Sequence, residues 1–156
     1  MGFNVEFINP FLEAVMNVLK TMAATDAKPG KPFVKEGERS KGDVSGVIGM
    51  VGDDANGSFA ISFTQECVLA IVGRMLMDEF TEVDDEIIDA VGEITNMVSG
   101  GAKRTLSEKG YRFNMATPTM VSGRGHEIKH IVRGPIIILP FSTDVGDFFV
   151  EVAFQI

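Results

Sequence analysis

The chain has 156 residues, 45% hydrophobic and 23% charged, the balance of one compact globular domain with a real core. Its formal net charge of −8 argues against general binding to nucleic acid or insertion at an anionic membrane, which needs clustered Lys and Arg. No apolar run approaches the ~20 residues that span a bilayer, no signal peptide is visible, and the single cysteine, Cys67, excludes an internal disulfide. The expectation is a reducing compartment, most simply the cytoplasm.

Taken in chain order, residues 10–24 place Phe11, Leu12, Val15, Met16, Leu19, Met22 and Ala23 at helical spacing, with Asn9 as N-cap and Pro10 as the first helical residue. The polar, Gly- and Pro-rich stretch 26–43 reads as a loop with a short edge strand at Phe33–Glu36. The runs 44–51 and 58–63 pair as a hairpin, with Asn56-Gly57 as the turn signal. Between them, "GDDANG" lacks the spaced oxygen ligands of a calcium loop and reads as a turn. Residues 65–77 fit a mostly buried helix, in which Cys67, Met75 and Met77 are packing residues. Asp84 to about Lys109 fits a long helix ended by Gly110. Strands follow at 135–141 and 148–156, turning at Asp144–Asp147; Phe148, Val150, Val152, Phe154 and Ile156 share one face of the last.

The chain is therefore read as a single domain, 1–156, of α/β class (α+β-like), a mainly antiparallel sheet with long helices packed on one side. A helix followed by hairpin strands occurs near residues 10–63 and again near 84–156, which predicts an internal pseudo-repeat.

"HEIKH" at 126–130 matches the pattern of zinc proteases, where two histidines one helical turn apart hold the metal. Gly123, Gly125 and Gly134-Pro135 leave only eight residues between breakers, short for a helix and suited to a strand. As a strand, His126, Ile128, His130 and Val132 face one way, and Glu127, Lys129, Ile131 and Arg133 the other. These are the only two histidines, so a third His ligand does not exist. A zinc hydrolase is the remote alternative, and no metal site is expected.

The long helix is more informative. With Asp89 at 0°, Glu93 falls near ~40° and Asn96 near ~−20°, while Ile87, Val91, Ile94, Val98 and Ala102 cluster around ~180°. The helix buries an apolar stripe and shows solvent a tight patch of Asp, Glu and Asn. Charge on an exposed face is ordinary. Asparagine there is less so: it is a mediocre helix former, and its carboxamide both donates and accepts hydrogen bonds. Gly100, on the same side, costs ~1 kcal/mol relative to Ala in a helix interior. Close approach of another surface would explain it. A carboxylate beside a carboxamide suits a reaction whose electrophile is already activated, such as phosphoryl transfer.

At these residues the chain resembles the CheC/CheX/FliY chemotaxis phosphatases, and most closely their CheX branch. The family signature is Asp or Ser, three residues, Glu, two residues, Asn, then 21 residues and Pro; Asp89, Glu93, Asn96 and Pro118 fill it. The resemblance implies hydrolysis of the aspartyl phosphate on a CheY-type response regulator. It implies that Asn96 aligns the attacking water and that Glu93 pairs with a lysine of the regulator. Asp89, Gly100 and Pro118 would shape the site or meet the partner. It also implies that no cofactor is bound by this chain, Mg²⁺ being held by the regulator, and a homodimer built through sheet edges. Glu13 and Asn17 on the first helix are separated by three residues, with no matching proline, so one site per chain is expected. The alternative is a non-catalytic adaptor that docks a receiver domain or flagellar switch component through the same helix.

Overall fold

Two antiparallel hairpins form the centre of the molecule. In the computed structural model, which describes residues 5–37, 39–53, 55–130 and 132–155, β3 (Val44–Gly52) pairs with β4 (Asn56–Phe63) and β7 (Ile137–Thr143) with β8 (Gly146–Gln155). β4 and β8 then pair with each other, Phe63 opposite Phe148 and Gly57 opposite Phe154. The remaining strands are short: β1 (Lys28–Pro29) and β2 (Phe33–Val34) lie on β7, and β5 (Phe113–Met115) and β6 (Thr119–Ser122) on β3. The result is an eight-stranded sheet in the order β1-β7-β8-β4-β3-β5, with antiparallel pairing throughout.

Three helices cover one face: α1 (Val5–Ala23), α2 (Gln65–Leu76) and α3 (Asp85–Glu108). Alternation along β8 turns Phe148, Val150 and Val152 toward them, and these residues join the main core. Phe11 of α1 stacks on Phe59 of β4 at 5.0 Å, and Phe7 stacks on Phe154 of β8 at 4.5 Å. α1 precedes one hairpin and α3 precedes the other, so the helix-then-hairpin order recurs about the β4–β8 pair. Among the described residues no helix is long and apolar enough to cross a membrane.

Several local expectations need correction. α1 starts before Asn9, and Pro10 lies inside it. Burial of Phe7 and Ile8 against the sheet outweighs the hydrogen bond that Pro10 cannot donate. Asn56-Gly57 is not the hairpin turn, because both residues lie within β4, opposite Val51 and Met50. Gly57 is required by close approach: a Cβ there would lie 2.6 Å from the Phe154 ring. Asp54 and Ile156 lie outside the described residues. The edge strand is confined to Phe33–Val34, and β7 begins two residues after Pro135. Met75 packs against the core, but Met77 caps α2 in a left-handed conformation, 92% exposed. β5 and β6 had no sequence counterpart.

Residues 126–130 and 132–133 form no ladder strand; a single bridge joins Glu127 to Arg39. The alternation nonetheless holds. Ile128, Val132 and the His130 side chain are buried and His126 is half-buried, while Glu127, Lys129 and Arg133 are exposed; Ile131 lies outside the described residues. The segment is a strap across the far face of the sheet, tied by that bridge, by Ser40 N donating to His126 O at 2.8 Å, and by side chains.

Candidate functional site

α3 owes its placement to its caps and its apolar stripe. The Asp84 carboxylate accepts from Ile87 N at 3.0 Å, closing the first turn. Asp85 and Glu86 sit where the helix dipole favours negative charge. Ile87, Val91, Ile94, Val98, Ala102 and Leu106 are buried against the sheet and neighbouring helices. Two polar residues share that side. Thr95 donates to Val91 O at 2.7 Å and Ser99 to Thr95 O at 2.9 Å, so neither hydroxyl is left without an acceptor. Gly46 of β3 faces Thr95 and lets the helix lie close on the sheet.

The opposite side of α3 carries Asp89, Glu93, Asn96 and Gly100, all exposed. Glu93 and Asn96 stand one turn apart, and neither side chain makes a hydrogen bond or ion pair among the described residues. They are held by the backbone of a packed helix and are available to another molecule. Pro118 is half-buried in the link that enters β6. β6 lies alongside α3: a Cβ on Gly92, the residue before Glu93, would sit 3.5 Å from Met120 Sδ. Glu13 and Asn17 are exposed on α1, a full i to i+4 step apart.

The histidine pair is committed elsewhere. His126 Nδ1 donates to Gly123 O at 2.7 Å, and Nε2 lies 2.6 Å from Ser45 Oγ. His130 Nδ1 lies 2.6 Å from Ser58 Oγ and Nε2 lies 2.9 Å from Glu151 Oε1. All four ring nitrogens are thus engaged, with partners on β3, β4, β8 and the bend after β6, and the motif is not helical. The zinc-protease arrangement is overturned by this geometry, and no cluster of metal-ligating side chains occurs among the described residues.

Sequence reasoning missed the centre of that network. Glu151 accepts from Lys35 Nζ at 2.8 and 3.0 Å as well as meeting His130, all in the interior. The available signal was a lone glutamate in an otherwise apolar, alternating strand. Cys67 is no nucleophile: burial pushes its thiol up to about 12.

The result is a three-helix, antiparallel-sheet domain that presents a carboxylate and a carboxamide together on one exposed helical turn. The family model described as chemotaxis phosphatase CheX matches residues 44–142. The chain belongs to that family. It is 29% identical over 141 residues to the CheY-P phosphatase CheX of Thermotoga maritima, covering 90% of this chain and 89% of that one. The chemotaxis protein CheX of Vibrio vulnificus superposes with a TM-score of 0.90 at 53% identity, covering 96% and 99% of the two chains. CheX in a CheX–CheY–BeF3–Mg²⁺ complex from Borrelia burgdorferi superposes at 0.82 with 28% identity, covering 98% and 100%.

Proposed function

We propose that this chain hydrolyses the aspartyl phosphate of a CheY-type response regulator. The observation that carries the reading is the Glu93–Asn96 turn, exposed and without internal partners, on a helix whose opposite side is buried. Docking of α3 brings the Asn96 carboxamide beside the acyl phosphate, where it orients a water in line with the bond to be broken. Water attacks phosphorus, the bond from phosphorus to the aspartyl oxygen breaks, and inorganic phosphate leaves a free carboxylate on the regulator. The acyl phosphate is already activated, so alignment and charge stabilisation suffice and no strong base is needed. Glu93 pairs with a lysine in the regulator's pocket and sets the angle of the helix. Asp89 and Pro118 shape the approach, and Gly100 keeps the next turn open.

Mg²⁺ belongs to the regulator in this reading, as the composition of the Borrelia burgdorferi complex suggests. The whole chain, 1–156, acts as one domain in the cytoplasm, and two copies join through sheet edges. Phosphate release from a phosphorylated receiver, with Mg²⁺, tests the proposal. Asn96→Ala should slow it on the order of 10²-fold, the scale of losing alignment at the reacting centre, while binding persists. Equal rates for wild type and variant, with binding retained, would favour the adaptor.

A further inference from the structure

One turn beyond Asn96 the exposed side of α3 is a glycine that the fold does not explain. Gly100 is exposed, and a Cβ built on it meets nothing within 4 Å. Alanine would be the better helix former there. Gly101 differs, since its Cβ would lie 3.3 Å from Ala14 on α1, and helix packing accounts for it. Gly100 instead lines a groove between the two helices, together with Ala14, Val18 and Met22 of α1 and Met97 and Arg104 of α3. Met22 is 41% exposed in that groove. Arg104 is exposed and has no ion pair or hydrogen bond among the described residues. The helical rise places Gly100 about 6 Å and Arg104 about 12 Å past Asn96.

We infer that the receiver domain's docking surface extends into this groove, seating one apolar side chain over Met22 and Met97 while Arg104 pairs with a receiver carboxylate. The inference rests on the phosphatase reading and adds the determinant of partner choice. Gly100 lies one turn beyond Asn96 on the same exposed side, so a receiver held against Asn96 is the neighbour that reaches the groove, in preference to a second copy of this chain. Arg104, beyond Asn96 and without an internal partner, is placed to meet a carboxylate on the receiver surface outside the phosphorylated pocket. A side chain at position 100 would plug the groove's mouth.

The test compares Gly100→Ala, Gly100→Leu, Met22→Glu and Arg104→Glu with wild type. Readouts are melting temperature, Kd for a receiver held in its active state by beryllofluoride and Mg²⁺, and KM and kcat for phosphate release. Gly100→Ala should melt about 2–4 °C higher, because alanine suits a helix better, yet bind the receiver more weakly. Gly100→Leu and Met22→Glu should weaken Kd by roughly tenfold or more, with the loss falling on KM. Arg104→Glu should weaken binding and flatten its dependence on salt. Met22→Glu perturbs the other wall, so a misfolded Gly100→Leu does not end the test. Wild-type Kd and KM in both groove variants would overturn the inference. So would a changed oligomeric state without a change in receiver affinity, which assigns the groove to a second copy. Turnover that is intact in those variants defeats the groove alone; binding without phosphate release by wild type defeats the phosphatase reading alone.

Discussion

Glu151→Ala should be one of the most damaging single changes in the chain, although Glu151 lies across the sheet from α3. Its carboxylate meets Lys35 Nζ at 2.8 and 3.0 Å and His130 Nε2 at 2.9 Å, with all three side chains 0–1% exposed. Removing it strips the Lys35 ammonium of this counter-charge inside the protein and takes away the acceptor that fastens the strap at His130. Deleting one partner of a buried ion pair costs about 3–5 kcal/mol. A chain of this size loses about 2–4 °C of Tm per kcal/mol, so the expected fall is about 6–20 °C. Urea unfolding followed by far-ultraviolet circular dichroism, at unchanged m-value, reads the free energy directly. The double variant Lys35→Met/Glu151→Leu should recover most of the loss, because an apolar replacement of a buried pair is often neutral or stabilising. A cost below about 1 kcal/mol for Glu151→Ala, the range of exposed ion pairs, would mean that water solvates the site and that the network does not hold the strap. A double variant as unstable as the single one would refute the buried charge as the cause.

Gly46→Val should destabilise by about 1–3 kcal/mol, the usual cost of overpacking, and slow phosphate release, since the new side chain collides with Thr95 beneath the proposed docking helix. Thermal melting and turnover should fall together. Asp144 is held below its ordinary carboxyl value of 3.8 by its hydrogen bonds to Arg74, at 2.7 and 3.1 Å. Its folded value lies below its unfolded value. Its contribution is therefore complete above the ordinary value and is lost as pH falls through the lowered one. Asp144→Asn should lower the neutral plateau of a Tm-versus-pH curve slightly and flatten its acid limb, so that variant and wild type converge at low pH.

Legibility followed the source of each element's stability. α3 was readable from residues 84 to 110 because its stripe is unbroken and both ends carry local signals, the Asp84 cap and Gly110 with a φ of 95°. The start of α1 was not: Pro10 advertises a first turn, but Phe7 and Ile8 are held by rings of Tyr111 and Phe154 and by the wider core, all distant in sequence. Asn56-Gly57 carries a strong turn signal, yet Gly57 is there to admit the Phe154 ring. Alternation at 126–133 told which side chains turn inward but not that one bridge and side-chain hydrogen bonds replace a ladder. The Lys35–Glu151 and His130–Glu151 partners are 116 and 21 residues apart, beyond any local pattern. β5 and β6, three and four residues long, are too short to alternate visibly. For the candidate site, helix phase reached the exposed Glu93–Asn96 patch. The groove was hidden because half of its wall comes from α1.

The central claim is that Asn96 aligns water against a partner's acyl phosphate. The most direct measurement is phosphate release from excess phosphorylated receiver by catalytic amounts of this chain, comparing wild type, Glu93→Ala and Asn96→Ala. The account predicts multiple turnovers by wild type, a rate near spontaneous hydrolysis for Asn96→Ala with receiver binding intact, and weakened binding for Glu93→Ala. Wild-type turnover by Asn96→Ala, or no acceleration by the wild-type chain, would contradict it.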